Sequence, residues 1–180
     1  MKKLTLLRHA KSGWDDTVQR DFDRPLNAKG HKAALLMGKY MQDAGLRFDH
    51  IVASPAVRVV ETLGEVARGY GKSPAAQWEK RIYLASAVTL LDIVTTFPQT
   101  AESALLAGHN PGLEDLLLLL VPDSADDVLR ASAEEKFPTA ALAELLFDVE
   151  DWADIKPGAA TLARFIRPRD LDATLGPDSD

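Results

Sequence analysis

The chain has 180 residues, 46% of them apolar and 27% charged, which suits one compact domain with a sizeable core. It contains no cysteine, which excludes disulfides, a thiolate nucleophile and cysteine-ligated metal. A net charge of -6 without any basic, aromatic-interleaved run argues against nucleic acid, and no apolar stretch approaches the roughly 20 residues that cross a bilayer. The apolar run before Arg8 is too brief for a signal peptide, so the expected location is cytoplasmic and the expected partners exclude a membrane.

Short apolar runs alternate with longer helical patterns, which predicts an α/β fold. The first strand is Leu4 to Leu7, and it ends in Arg8-His9. From Asn27 to about Ala44, Ala33, Ala34, Met37, Tyr40 and Met41 recur at helical spacing, with Gly45 as the stop. A second strand is expected around Ile51 to Ala53. It is followed by a helix with Ser54 as N-cap, Pro55 at its first position and Arg58 in its first turn. Gln77 to Ile82 can hold a short edge strand. "TLLDIVTTF" reads as a helix stopped before Pro98, Ala104 to Ala107 as a strand, and Leu113 to Val121 as the start of the next helix. The polar, acidic "PDSADDVLRASAEEKFP" reads as a surface excursion. "TAALAELLFDVEDW" and "GAATLARFIRP" suggest a closing hairpin of two strands, and residues from about 170 to 180 a frayed tail.

Three strand ends thus carry reactive or cationic residues: Arg8-His9, the segment from Ser54 to Arg58, and Gly108-His109-Asn110-Pro111-Gly112. In a parallel α/β sheet the carboxyl ends of the strands share one edge, where ligands bind. Residues 8, 9, 58 and 109 can therefore converge. Arg58 at a helix N-terminus, together with Arg8, would hold phosphate oxygens, and His109 would donate to another. A neutral His9 imidazole is a competent nucleophile toward phosphorus if its other nitrogen is held by an acceptor. The two arginines supply the charge that a metal otherwise would, so no metal or other cofactor is expected.

The motifs "LLRHAKS", "DRPLNAKG", "SPAVRVVET" and "GHNPG", in this order, resemble the histidine phosphatase superfamily and in particular its SixA-type phosphohistidine phosphatases. The resemblance runs from residue 3 to about residue 121 and, more weakly, through "KFPTAALAELLFD". It implies a three-layer sandwich with a mostly parallel central sheet and helices on both faces. It also implies transient phosphorylation of His9, with Arg8, Arg58 and His109 forming the phosphate pocket. The expected activity is metal-independent removal of phosphate from phosphohistidine in a partner protein, a role in signal transduction. A phosphatase for small phosphorylated molecules and a non-catalytic phosphate-binding module are the alternatives.

Other residues carry two readings each. Arg24 is either in a loop ion pair with Asp21 or Asp23 or at the pocket rim. Ser12 and Asn110 either bind substrate or serve their turns. Trp14, in a loop with Asp15 and Asp16, is an exposed staple or shapes substrate access. His31 and His50 read as ordinary residues. Phosphomonoesterases of the superfamily add a glutamate general acid after the third strand, because an alkoxide leaving group needs a proton. Glu79 is the nearest candidate here, yet it reads more simply as a surface residue. A missing acid favours a phosphoramidate substrate, whose imidazole leaves more readily.

Overall fold

A computed structural model describes residues 1–14, 20–72 and 75–176. Asp15 and Asp16 lie outside them. Strands β1 (Lys2–Arg8), β2 (His50–Ala53), β3 (Gln77–Trp78), β4 (Ser103–Gly108), β5 (Leu142–Phe147) and β6 (Ala160–Ile166) form one sheet in the order β3-β2-β4-β1-β5-β6. The first four are mutually parallel, whereas β5 runs antiparallel to β1 and pairs with β6 as the expected C-terminal hairpin. The helices are α1 (Ala28–Asp43), α2 (Val57–Tyr70), α3 (Ala87–Val94), α4 (Gly112–Leu120), α5 (Val128–Glu135) and α6 (Pro168–Leu171).

The two faces of the sheet explain why the strands read as nearly unbroken apolar runs. Leu4, Leu6, Ala104 and Leu106 point into one core with Leu90, Leu113, Leu117 and Phe137. Leu7, Leu105, Ala107 and Leu142 point into the other with Ala34, Met37, Met41 and Val59. Side chains alternate across a strand, so covering both faces requires apolar residues at both parities. Each fully buried leucine contributes about 1.5–3 kcal/mol to holding the layers together. The α1 and α2 axes approach closely because Gly38 faces the α2 backbone: a Cβ there would sit 2.2 Å from the Val66 carbonyl oxygen.

Several boundaries differ from the sequence reading. The α2 helix starts at Val57, with Ala56 at its N-cap and no side-chain cap, so Ser54 and Pro55 lie before it. Ser54 instead accepts a hydrogen bond from the Ala56 N–H at 3.3 Å and faces a histidine. The edge strand stops at Trp78 and gives way to a 3₁₀ turn over Lys80–Ile82. The third helix begins at Ala87, capped by Ser86, and ends at Val94.

The acidic stretch is more than a surface excursion. It contains α5, whose buried Arg130 donates to the carbonyls of Val121 and Leu118 beyond and within the last turn of α4. Helix-end carbonyls lack intrahelical partners, and a buried guanidinium satisfies them while losing its own desolvation penalty. Residues 170–176 likewise pack rather than fray: Asp172 pairs with Lys32 at 3.1 Å, and Leu175 is buried beside α1. Only 177–180 of the expected tail lie outside the described residues. Among the described residues no helix is long and apolar enough to cross a membrane.

Candidate active site

Strand register brings the motifs together. Arg8 pairs with Gly108 across β1 and β4, and the His9 N–H donates to the Gly108 carbonyl at 3.0 Å. On the other side of β4, Ala53 pairs with Ala107 and the Ser54 N–H donates to Ala107 at 3.1 Å. The residue after each central strand therefore stands next to its neighbour's. The His9 and His109 rings lie with centroids 5.4 Å apart.

His9 is held on every side. Its carbonyl accepts from the Ala140 N–H at 2.9 Å, and the next residue's N–H donates to Thr62 Oγ1 at 2.9 Å. Thr62 in turn donates to the Arg58 carbonyl at 2.6 Å, linking the β1 loop to the first turns of α2. One position further on, Gly30 admits the loop against α1, since a Cβ there would lie 2.0 Å from the Lys11 carbonyl oxygen.

The ring of His9 has a defined tautomer. Its Nδ1 lies 2.7 Å from the Ala10 carbonyl oxygen, which only accepts, so Nδ1 carries the proton and Nε2 keeps its lone pair. Burial lowers its pKa from the ordinary histidine value to about 3, with Arg8, His109 and Arg58 pushing the same way against the Ala10 hydrogen bond. The imidazole is neutral through the whole physiological range, with the Nε2 lone pair uncommitted to a proton.

His109 is built differently. Its Nε2 sits 2.8 Å from Ser54 Oγ, while its Nδ1 is buried without a protein partner. Ser54 accepts from the Ala56 N–H and can donate its own hydroxyl proton to Nε2, and in that tautomer the ring proton lies on Nδ1 as an unused donor. Burial and then Arg58 lower the His109 pKa to about 4. In that tautomer an anion arriving beside it would be met by an N–H rather than by a lone pair.

Three arginines and one carboxylate surround this pair. Arg8 Nη1 donates to the Phe137 carbonyl at 2.9 Å. Arg58, 4% exposed, donates to the Asp21 carbonyl at 2.8 Å and to Asp21 Oδ2 at 3.0 Å. Asp21 thus takes two of its five guanidinium N–H groups, and Nε is buried without a partner. Arg24 pairs with Asp21 Oδ1 at 3.0 Å, the loop ion pair of its first reading, and lies 4.6 Å from the exposed Trp14 ring. The Tyr83 hydroxyl donates to Asp21 Oδ2 at 2.6 Å, and its ring meets His109 edge-on at 5.3 Å. Burial works against the Asp21 charge, but hydrogen bonds from Tyr83, Arg24 and Arg58 hold its pKa at about 2. The cluster carries a surplus of two positive charges at neutral pH, which matches a phosphoryl dianion.

Other candidates sit further out. Asn110 donates to the Phe137 carbonyl at 3.0 Å and accepts from Glu114 N–H at 3.2 Å, so its amide serves the turn before α4. Ser12 is part of an isolated β-bridge with Leu26. Glu79 is bound through both carboxylate oxygens to Arg81, at 3.1 Å each. His31 lies 3.8 Å from Glu65, and His50 packs against Phe97. Sequence reasoning missed Asp21 as the organiser of Arg58, and missed Tyr83 and Thr62 altogether. The Arg24–Asp21 ion pair is legible along the chain, but the contact of Asp21 with Arg58, 37 positions away, is not.

A buried neutral imidazole flanked by arginines thus lies at the carboxyl edge of an α/β sheet, an arrangement suited in charge and chemistry to a phosphoryl group. The family model of the histidine phosphatase superfamily (branch 1) matches residues 4–81. An uncharacterised Mycobacterium tuberculosis protein is 32% identical over 164 residues, covering 91% of this chain and all of the relative. The SixA protein of Agrobacterium tumefaciens is similar in structure, with a TM-score of 0.76 and 30% identity over 93% of this chain and 98% of that one. A protein histidine phosphatase SixA solved with tungstate shares the fold at a TM-score of 0.73 and 20% identity, over 94% of this chain and 99% of that one. The chain belongs to the histidine phosphatase superfamily and is of the SixA type.

Proposed function

We propose that this phosphatase takes the phosphoryl group from phosphohistidine in a partner protein and passes it to water through His9. The observation that carries this reading is the Nδ1–H bond from His9 to the Ala10 carbonyl, which leaves Nε2 unprotonated beside Arg8, Arg58 and His109. In the first step Nε2 attacks phosphorus, a P–N bond to His9 forms, and the substrate's P–N bond breaks with its electron pair leaving on the imidazole. That nitrogen takes a proton from solvent. In the second step water attacks phosphorus, the bond to Nε2 breaks with its electron pair returning to that nitrogen, and phosphate departs with the oxygen of that water, whose surplus proton goes to solvent. Arg8, Arg58 and the His109 Nδ1–H stabilise the equatorial oxygens, whose charge is spread in the transition state.

The leaving group decides the substrate class. Glu79 is tied to Arg81, which together with the Arg81 backbone N–H lowers its pKa, so this side chain is not held as a carboxylic acid at neutral pH. An alkoxide needs such an acid and an imidazole does not. The SixA relative named above as a protein histidine phosphatase supports the same substrate class. On this reading the enzyme needs no metal and acts in cytoplasmic signal transduction.

Rapid quenching with labelled phosphohistidine protein should give an acid-labile, base-stable label on the wild type, unaffected by EDTA. His9→Ala should carry none and lose at least about a thousandfold in kcat/KM. Equal labelling of His9→Ala would refute the nucleophile. Comparable rates on phosphohistidine, phosphoserine peptides and sugar phosphates would refute the substrate class.

A further inference from the structure

The segment 82–85 runs against the motif that follows β4 and touches both of its glycines. A Cβ on Gly108 would sit 2.9 Å from the Ile82 side chain, and one on Gly112 would sit 2.3 Å from the Ala85 carbonyl oxygen. The two glycines therefore let this segment lie close, and Tyr83, between those contacts, is laid edge-on against His109 with ring centroids 5.3 Å apart. Leu84, directly after it, has a φ of 53°, a left-handed conformation that is costly for a residue with a Cβ. Its side chain is 62% exposed, so burial of Leu84 does not offset that strain. Strained backbone persists where the surroundings over-determine it, and here they fix the tyrosine next to it.

Residues 21 and 22 grip Tyr83 as well. Its hydroxyl donates to Asp21 Oδ2 at 2.6 Å, the oxygen that also accepts from Arg58 at 3.0 Å, and the Phe22 ring meets the Tyr83 ring edge-on at 5.1 Å. The Arg58 guanidinium lies 5.9 Å from the centre of the same ring. One side chain thus touches a histidine delivered by β4 and the carboxylate that holds an arginine delivered by α2. We infer that Tyr83 is a positioning residue for phosphoryl transfer, fixing His109 and Arg58 relative to each other so that both meet the same phosphoryl group. This role rests on the phosphoryl-transfer reading above and adds the residue that sets its geometry. Donors placed in advance need no reorganisation as charge spreads over the equatorial oxygens, so their misplacement is felt in kcat more than in KM.

Tyr83→Phe keeps the ring and deletes the hydroxyl, so kcat on a phosphohistidine protein should fall about fivefold with KM within about twofold. In an Asp21→Ala background the same change should cost less than about twofold, because the oxygen that the hydroxyl holds is gone. Tyr83→Leu, which also removes the edge against His109, should lose about tenfold more than Tyr83→Phe. Equal costs of Tyr83→Phe in the two backgrounds, a loss confined to KM, or a Tyr83→Leu protein as active as Tyr83→Phe would overturn the inference. Should Tyr83→Leu not fold, the two Tyr83→Phe measurements decide. Calorimetric binding of orthovanadate, which can adopt the five-coordinate geometry of the transferring phosphorus, separates this role from the substrate class. If phosphohistidine protein is not hydrolysed, the substrate class falls. The role of Tyr83 then stands if Tyr83→Phe weakens vanadate binding in the wild-type background and not in Asp21→Ala, and falls if its effect is the same in both.

Discussion

The segments that follow β1 and β3 leave the same edge of one sheet, yet they hold their titratable side chains in opposite ways. After β1, His9 is fixed by backbone bonds to Gly108 and Ala140, and its ring by Ala10. Its neighbours are cations without any carboxylate bound to the ring, so burial leaves it neutral and available. After β3, Glu79 caps a 3₁₀ turn and spends both oxygens on Arg81. It is ionised, partly solvated and already paired. Position at the carboxyl edge is thus not enough to make a catalytic group. What the side chain touches decides whether it can react.

The largest effect that sharpens this contrast is expected at Arg58, the cation most fully enclosed beside the histidines. Arg58→Ala should lower kcat/KM by on the order of a hundredfold or more, as loss of a transition-state donor does. Arg58→Lys should recover only part, because an ammonium cannot both hold Asp21 by two bonds and fork onto the phosphoryl oxygens. Full activity in the lysine variant would reduce the role of Arg58 to net charge.

Next is the cost of keeping two histidines neutral. In the unfolded chain both take up protons near the ordinary histidine pKa, whereas in the fold His109 waits until about 4 and His9 until about 3. The unfolded state therefore binds more protons below about pH 6.5, and stability falls as pH drops through that window. Each histidine contributes at most about 1.4 kcal/mol per pH unit to the slope. Urea midpoints between pH 6.5 and 4.5 should follow that fall, and a His9→Gln/His109→Gln protein should show a shallower one. An unchanged slope in the double variant would mean that other groups carry the acid sensitivity.

A smaller loss is expected at Asp21, which touches Arg58, Arg24 and Tyr83 but holds no ligand itself. Asp21→Asn keeps the shape and removes the charge that orients Arg58, so kcat/KM should fall by about tenfold. Because the variant also leaves the site more positive, KM for a phosphorylated substrate should fall or hold while kcat drops. A rise in KM with kcat intact would make Asp21 a purely structural residue. The smallest effect belongs to the β3 side: Glu79→Gln should leave phosphohistidine turnover within about twofold, since an imidazole leaves without acid help. A large loss confined to alkyl phosphates would restore Glu79 as an acid and break the contrast between the two segments.

The sequence by itself determined the α/β class, the strand ends that carry His9, Arg58 and His109, and the closing hairpin. Those features are written locally, in apolar runs of strand length, in helical spacing from Ala33 to Met41, and in motifs confined to a few neighbouring positions. Tertiary structure alone decided what each side chain does once there. Ser54 looked like a helix cap because Pro55 follows it, but β4 brings His109 within 2.8 Å and the hydroxyl serves the ring instead. The acidic stretch after α4 looked solvated, yet Arg130 finds the orphan carbonyls at the end of that helix and carries the segment inward. The chain's end looked frayed until α1 offered Leu175 a buried place. Asp21 and Tyr83 are 62 positions apart and still share a hydrogen bond. Periodicity and motif spacing report neighbours along the chain, whereas hydrogen bonds, desolvation and charge pairing are set by neighbours in space.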